Sequence, residues 1–189
     1  MAGSWLGRAL ARGRGVPDEA ELVRRAQRGS EDALGALFEL HWPRLFRAAL
    51  AVTADAAAAE DVAQEAFIAA VGALDRFDRS RPFGPWLHRI AVNRAIDHAR
   101  TRAARRELGV EGLPEPGVPP AQPGGADRVA GLVAGLPPEQ RAVVALRYLL
   151  DYTPGEIAEL LELPRGTVNS RLRRGLDALA ERIAEEPAP

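Results

Sequence analysis

Trp86, Arg89, Asn93, Asp97 and Arg100 follow one another at intervals of 3, 4, 4 and 3 residues. On a helix turning about 100° per residue, all of them fall within about 60° of Trp86. One face would then carry an aromatic ring, an amide, a carboxylate and two guanidiniums. That set suits stacking on an unpaired base, reading its edge and holding a strand backbone. Just before it lies FDRSRPF, in which Phe77 and Phe83 flank Arg79, Ser80, Arg81 and Pro82. A loop of this kind can cup a base taken out of its stack. The plainer reading is a core tryptophan beside solvated arginines.

A second constellation lies near the C-terminus. Thr153-Pro154-Gly155-Glu156 reads as a capping box: a threonine N-cap, a tolerated first-turn proline and a glutamate reaching back. Ile157, Leu160 and Leu161 form an apolar stripe, Glu162 to Pro164 interrupts it, and a second helix starts at Arg165. There Val168, Leu172, Leu176 and Leu179 are expected to face inward. The opposite face holds Gly166, Thr167, Ser170, Arg173, Arg174 and Asp177. Small residues at a helix N-terminus let the backbone approach a phosphate, and Ser and Arg beyond them can reach base edges in a major groove. The plain alternative is a helical hairpin with a solvated charged face.

A third candidate surface lies on the helix expected over Glu60 to Leu74. Val62, Ala66, Ala70 and Leu74 can face a core, while Asp61, Gln64, Glu65 and Ile68 lie on the other side. An isoleucine among acids suits the apolar centre of a protein contact. It is also a common lone surface residue.

The elements that position these residues are helical throughout. Periodicity of the helical kind runs from about Asp18 to Glu107 and from Asp127 to Glu186, and no segment alternates over strand length. Between them, 109 to 125 holds five prolines and five glycines. The expected fold is all-α: two small helical domains joined by a flexible Pro/Gly-rich linker, the C-terminal one a helix-turn-helix. The expected divisions are a flexible arm (1–17), a first module (18–108), a linker (109–126) and a second module (127–186).

Charge is segregated along the chain although its sum is −1. From Asp55 to Asp75 there are five acids and no arginine. From Arg76 to Arg106 there are nine arginines against two acids. From Glu107 to Asp127 there are four acids and no arginine, and from Arg165 to Arg182 five arginines against two acids. Two basic blocks suggest two polyanion contacts. All 25 basic residues are arginine, which fits a GC-rich coding sequence or a use of bidentate phosphate contacts. With no cysteine, a disulfide framework, a thiolate zinc site and a thiol nucleophile are excluded. No apolar run approaches the roughly 18 residues of a membrane span. His88 and His98 are too far apart on one helix to share a metal, and no phosphate-binding loop or nucleophile elbow occurs. Neither an enzyme nor a cofactor or metal protein is expected.

EDVAQEAF (60–67), RFDRSRPFGPWLHRIAVNRAIDHAR (76–100), LPPEQRAVVALRYLLDYTPGEIAELL (136–161) and PRGTVNSRLRRGLDAL (164–179), in this order, resemble a bacterial RNA polymerase sigma factor of the extracytoplasmic function (ECF) group. The resemblance spans about Glu19 to Ile183. It implies that 18–108 is sigma region 2 and 127–186 sigma region 4. It implies that Asp61, Gln64, Glu65 and Ile68 dock on the β′ clamp helices of core polymerase. The −10 element would be opened and held by Phe77, Arg79, Ser80, Arg81, Phe83, Trp86, Arg89, Asn93, Asp97 and Arg100. The −35 duplex would be read by Arg165, Gly166, Thr167, Asn169, Ser170, Arg171, Arg173 and Arg174. Helix Gln140 to Leu150 would rest on the β flap, and the acidic linker would thread the RNA-exit path. The implied partners are core polymerase, promoter DNA and, by family habit, an anti-sigma factor. A cytoplasmic protein without membrane insertion is implied. Two positions depart from the family pattern: Asn169 stands where lysine is common, and Val71-Gly72 replaces a more usual Leu-Trp. The glycine there costs roughly 1 kcal/mol of helix stability. Different readings are a stand-alone helix-turn-helix regulator and a protein that sequesters a partner.

Overall fold

The computed structural model describes residues 18–107 and 131–185. The expected arm over 1–17 and linker over 109–126 lie outside them. Among the described residues there are helices and turns but no strand.

In the N-terminal module, α1 spans Glu19–Ala26, α2 Glu31–Thr53, α3 Ala56–Ala73 and α4 Phe83–Glu107, with a 3-10 turn at Leu74–Arg76. Each start has a local cause. Ser30 Oγ accepts from the Ala33 amide at 3.3 Å, capping α2 after a left-handed Gly29 (φ 86°) closes α1. Asp55 Oδ1 accepts from the Ala58 amide at 3.1 Å, which begins α3 four residues earlier than the sequence periodicity places it.

The core of this module is built largely from alanine. Ala48 and Ala49 of α2, Ala59, Ala63, Ala66 and Ala70 of α3, and Ala91 and Ala95 of α4 are all buried. A methyl group at a helix contact lets axes approach toward the short end of the usual 8–10 Å range. Leu37, Leu45, Val52 and Leu87 fill the remaining space. The expected inward face over Val62, Ala66, Ala70 and Leu74 is indeed buried, and α4 buries Leu87, Ala91, Ala95 and Ala99 against it.

In the C-terminal module, α5 spans Pro138–Tyr148, α6 Pro154–Leu161 and α7 Arg165–Glu185, after a helical turn at 131–134. The capping box is present in full: the Glu156 amide donates to Thr153 Oγ1 at 3.3 Å and the Thr153 amide donates to Glu156 Oε2 at 2.7 Å. These amide bonds hold the Glu156 carboxyl below its usual range. α6 ends at Glu162 in the left-handed region (φ 54°), which turns the chain into α7.

One expectation about α7 is corrected. Leu176 is 40% exposed, and the buried stripe runs Val168, Leu172, Gly175. Gly175 lets α7 approach α5 closely, because a Cβ there would lie 3.1 Å from Val144 Cγ2. Leu176 is rotated about 80° from Val168, to the edge of the stripe.

The two modules share one apolar core that includes residues of α2, α4, α5 and α6. Across their junction Arg44 Nη2 donates to the Leu150 carbonyl at 3.1 Å, and His88 Nδ1 shares a 2.7 Å hydrogen bond with the Tyr152 hydroxyl.

Candidate nucleic-acid and polymerase interfaces

The loop before α4 is a short, locally bonded turn. Asp78 Oδ1 accepts from the Ser80 amide at 2.9 Å, and the Arg81 amide donates to the Asp78 carbonyl at 3.0 Å. The amide and hydroxyl of Ser80 hold the Asp78 carboxyl below its usual range. Arg79, Ser80 and Arg81 are exposed. Phe77 and Phe83, grouped with them as candidate base contacts, are buried at 8% and 4% exposure. Their rings turn inward because they form the floor under Trp86, with centroids 4.7 and 5.5 Å from it. Gln27 ties the base of this loop to α1, its Nε2 donating to the carbonyls of Leu74 (2.9 Å) and Phe77 (3.2 Å). Nothing in the sequence points to Gln27, which lies some 50 residues away. A concavity of about 340 Å³ opens between the start of α1 (Asp18, Glu19, Val23) and Phe77 to Phe83.

Beyond the loop, α4 brings together the row predicted from spacing. Trp86 and Arg89 are half-buried, and Asn93, Asp97 and Arg100 are exposed. Both arginines are engaged by acids of the C-terminal module, Arg89 by Glu162 and Arg100 by Glu139, each at 2.6 Å. Burial of Glu139 favours its neutral form, but its own amide and Arg100 outweigh this and hold its pKa below the usual value. The far end of α4 is anchored to the start of α3. Arg102 Nη1 lies 2.6 Å from Asp55 Oδ2, with the two side chains only 16% and 19% exposed. Asp55 thus caps one helix and pairs with another. Burial raises its pKa, but the Ala58 amide and Arg102 bring the net shift downward.

On α7, Arg165, Gly166, Asn169, Arg173 and Arg174 are exposed, and Thr167, Ser170 and Arg171 are half-buried. A Cβ at Gly166 would meet nothing within 4 Å, so the start of the helix is open to an approaching backbone. Arg174 Nη2 donates to Ser170 Oγ at 3.3 Å, pre-aligning two of the candidate base-contacting groups. On α3, Asp61, Gln64 and Glu65 are exposed. Ile68 is 69% exposed and Val71 lies beside it at 39%. Glu65 is held by Arg94 at 2.9 Å.

Two of the histidines, His41 and His88, are buried among the packed helices, while His98 is exposed. His41 Nε2 lies 2.8 Å from Glu19 Oε1, and the ring centroids of His41 and His88 are 6.5 Å apart. Burial lowers both pKa values, that of His88 to about 4. Among the described residues no group of three potential ligands is gathered around a metal position, and no helix is long and apolar enough to cross a membrane.

Residues 37–105 match the Sigma-70 region 2 family, and residues 126–179 match the Sigma-70, region 4 family. The ECF RNA polymerase sigma factor SigW of Bacillus subtilis (strain 168) is 30% identical over 180 residues, covering 86% of this chain and 95% of SigW. SigL of Mycobacterium tuberculosis is 36% identical over 161 residues, covering 79% and 88% respectively. The chain belongs to the ECF RNA polymerase sigma factors. A further relative of this sigma factor, CnrH of Cupriavidus metallidurans, is 32% identical over 189 residues, covering 90% of this chain and 99% of CnrH. The structure of CnrH in complex with the cytosolic domain of CnrY matches with a TM-score of 0.68 at 30% identity, over 89% of this chain and 99% of that one. As an ECF sigma factor the protein is a transcription initiation factor that directs RNA polymerase to promoters. The region 2 match contains α3, the loop and most of α4, and the region 4 match contains α5, α6 and most of α7. α1, with Gln27 and Glu19, precedes both.

Proposed function

We propose that the sigma factor divides promoter recognition among three surfaces. Trp86, on its floor of Phe77 and Phe83, stacks against an unpaired base of the −10 element. Arg79, Ser80, Arg81, Arg89, Asn93, Asp97 and Arg100 hold and read the strand around it. The N-terminal half of α7, from Arg165 to Arg174, reads the −35 duplex in the major groove. The exposed Ile68, framed by Asp61, Gln64 and Glu65, is the anchor on the β′ clamp helices. The apolar end of α5, where Tyr148 and Leu149 are 55% and 50% exposed, meets the β flap. The protein works in the cytoplasm and hydrolyses no nucleotide; binding energy opens the duplex, and the polymerase does the chemistry. CnrH, solved with the cytosolic domain of CnrY, supports an anti-sigma partner for this chain too.

The observation that carries this reading is chemical. α3, α4 and α7 each expose a different set, apolar-acidic, aromatic-basic and basic-hydroxyl. The test is transcript-start mapping after induced expression, followed by transcription of the mapped promoters with purified core polymerase. Loss of specific transcripts on changing either spaced element is expected. An absence of promoter-specific transcripts would sink the reading. A partner-free protein that binds promoter duplex tightly would also count against it.

A further inference from the structure

The loop that carries Arg79, Ser80 and Arg81 has two feet, and α1 holds both. At the entry foot one side-chain amide uses both of its protons. Gln27 Nε2 donates to the Leu74 carbonyl at 2.9 Å and to the Phe77 carbonyl at 3.2 Å. These carbonyls bracket the 3-10 turn at Leu74–Arg76, past the end of α3, where helical partners run out. Water can satisfy such carbonyls, but a side chain from another helix also fixes where they lie. Phe77 in turn sets its ring 4.7 Å from Trp86 and edge-on to Phe83 at 5.6 Å. At the exit foot the Phe83 ring lies 5.3 Å from that of His41, and His41 Nε2 lies 2.8 Å from Glu19 Oε1. A Cβ at Gly84 would be 3.2 Å from His41 Cε1, so the glycine lets that ring lie against the first turn of α4. Glu19 opens α1 and Gln27 follows its last residue, so this one helix reaches from foot to foot. Leu22, Val23 and Ala26 are buried and dock it to the core. Between the feet the chain has its local Asp78 turn and exposed side chains.

We propose that α1 positions the −10 loop, and that Gln27 is a positioning residue for base selection, acting through the backbone of Leu74 and Phe77. The proposal rests on the −10 reading of the loop. A recognition loop discriminates between bases only when its groups are held within a fraction of an ångström of their places. The exposed tip takes no part in the core, so that precision has to come from the ends. Gln27 provides it at the entry foot with two bonds that depend on a single side chain, and it does so without touching the strand.

The test uses the full chain with core polymerase, on a mapped promoter whose −10 element is pre-melted and varied base by base. Gln27→Met keeps an unbranched side chain of similar length and donates nothing. Gln27→Glu keeps the shape and, when ionised, only accepts. Each should reduce the preference for the favoured −10 base about three- to tenfold, with core affinity and −35 protection unchanged. Hydrogen exchange should quicken at the amides of Ser80 and Arg81 but not at those of the buried Leu45 and Leu87. An unchanged base preference overturns the proposal. A uniform quickening of exchange overturns it too, as does failure of both variants to fold, because Gln27 would then support the module as a whole. Arg79→Gln/Arg81→Gln separates these outcomes from an error in the −10 reading. If that variant loses base preference while Gln27→Met keeps it, the loop reads the base without help from Gln27. If both keep it, the −10 reading of the loop fails as well.

Discussion

The Tyr152 hydroxyl lies 2.7 Å from His88 Nδ1, joining the segment before α6 to the second turn of α4. Burial sets the state of both partners, lowering His88 to about 4 and raising Tyr152 to about 12. Near neutral pH the bond therefore joins two uncharged groups, and no buried charge has to be compensated there.

The burial of His88 makes folding stability depend on pH. An unfolded histidine titrates near 6.5 and folded His88 near 4, so between these values the unfolded chain binds more protons. The contribution of His88 is complete above pH 6.5 and is lost as pH falls toward 4, by up to about 3 kcal/mol. His41, lowered by burial against the opposing pull of Glu19, acts in the same direction. Thermal melts across this range should show a steep fall that His88→Gln flattens. Parallel curves would refute the assignment.

Trp86→Ala should impair strand opening more than duplex binding. The ring is half-buried on Phe77 and Phe83, so its loss also removes packing, at about 1–3 kcal/mol. Permanganate footprints on duplex and pre-melted templates separate the effects. Equal defects on both would contradict the role.

Ile68→Ala should leave the melting temperature almost unchanged, because the side chain is 69% exposed. Affinity for core polymerase should fall by about 1–2 kcal/mol, five- to thirtyfold. Competition against a labelled sigma factor measures it, and undiminished core binding would remove Ile68 from the interface.

Arg174→Ala should weaken −35 binding and reduce its salt slope by about 1. Gly166→Ala provides a contrast. Its methyl meets nothing in the free protein, so the fold should tolerate it while phosphate approach suffers. Footprinting of the upstream element reads both, and full protection in either variant would exclude that residue.

Asp55→Ala removes a helix cap and one side of a semi-buried ion pair together, and should destabilise by about 2 kcal/mol. Asp55→Asn keeps an acceptor for the Ala58 amide and should lose about half as much. Denaturant titration distinguishes them. A neutral Asp55→Ala would show that Arg102 finds its contacts elsewhere.

What was legible in the sequence was local. The capping box at Thr153 and the inward Ala66 and Ala70 of α3 follow from spacing along single helices. The illegible parts depend on contacts between distant segments. Asp55 reads as one more acid until Arg102 arrives from 47 residues away. Phe77 and Phe83 read as loop-tip aromatics because nothing local says that Trp86 needs a floor. Leu176 reads as inward-facing because a glycine adds nothing to an apolar pattern, yet the close approach at Gly175 decides which way α7 faces. The acids on Arg89 and Arg100 belong to the other module, and no periodicity connects them.

The alanine contacts among α2, α3 and α4 have a mechanical consequence. An alanine has no side-chain torsion with which to absorb a displacement, and close-packed interiors compress little. Ala63 and Ala66 of α3 and Ala91 and Ala95 of α4 are all buried in the core these helices share. The two helices therefore have little side-chain freedom with which to shift one against the other, and the faces that carry Ile68 and Trp86 are fixed on one packed unit.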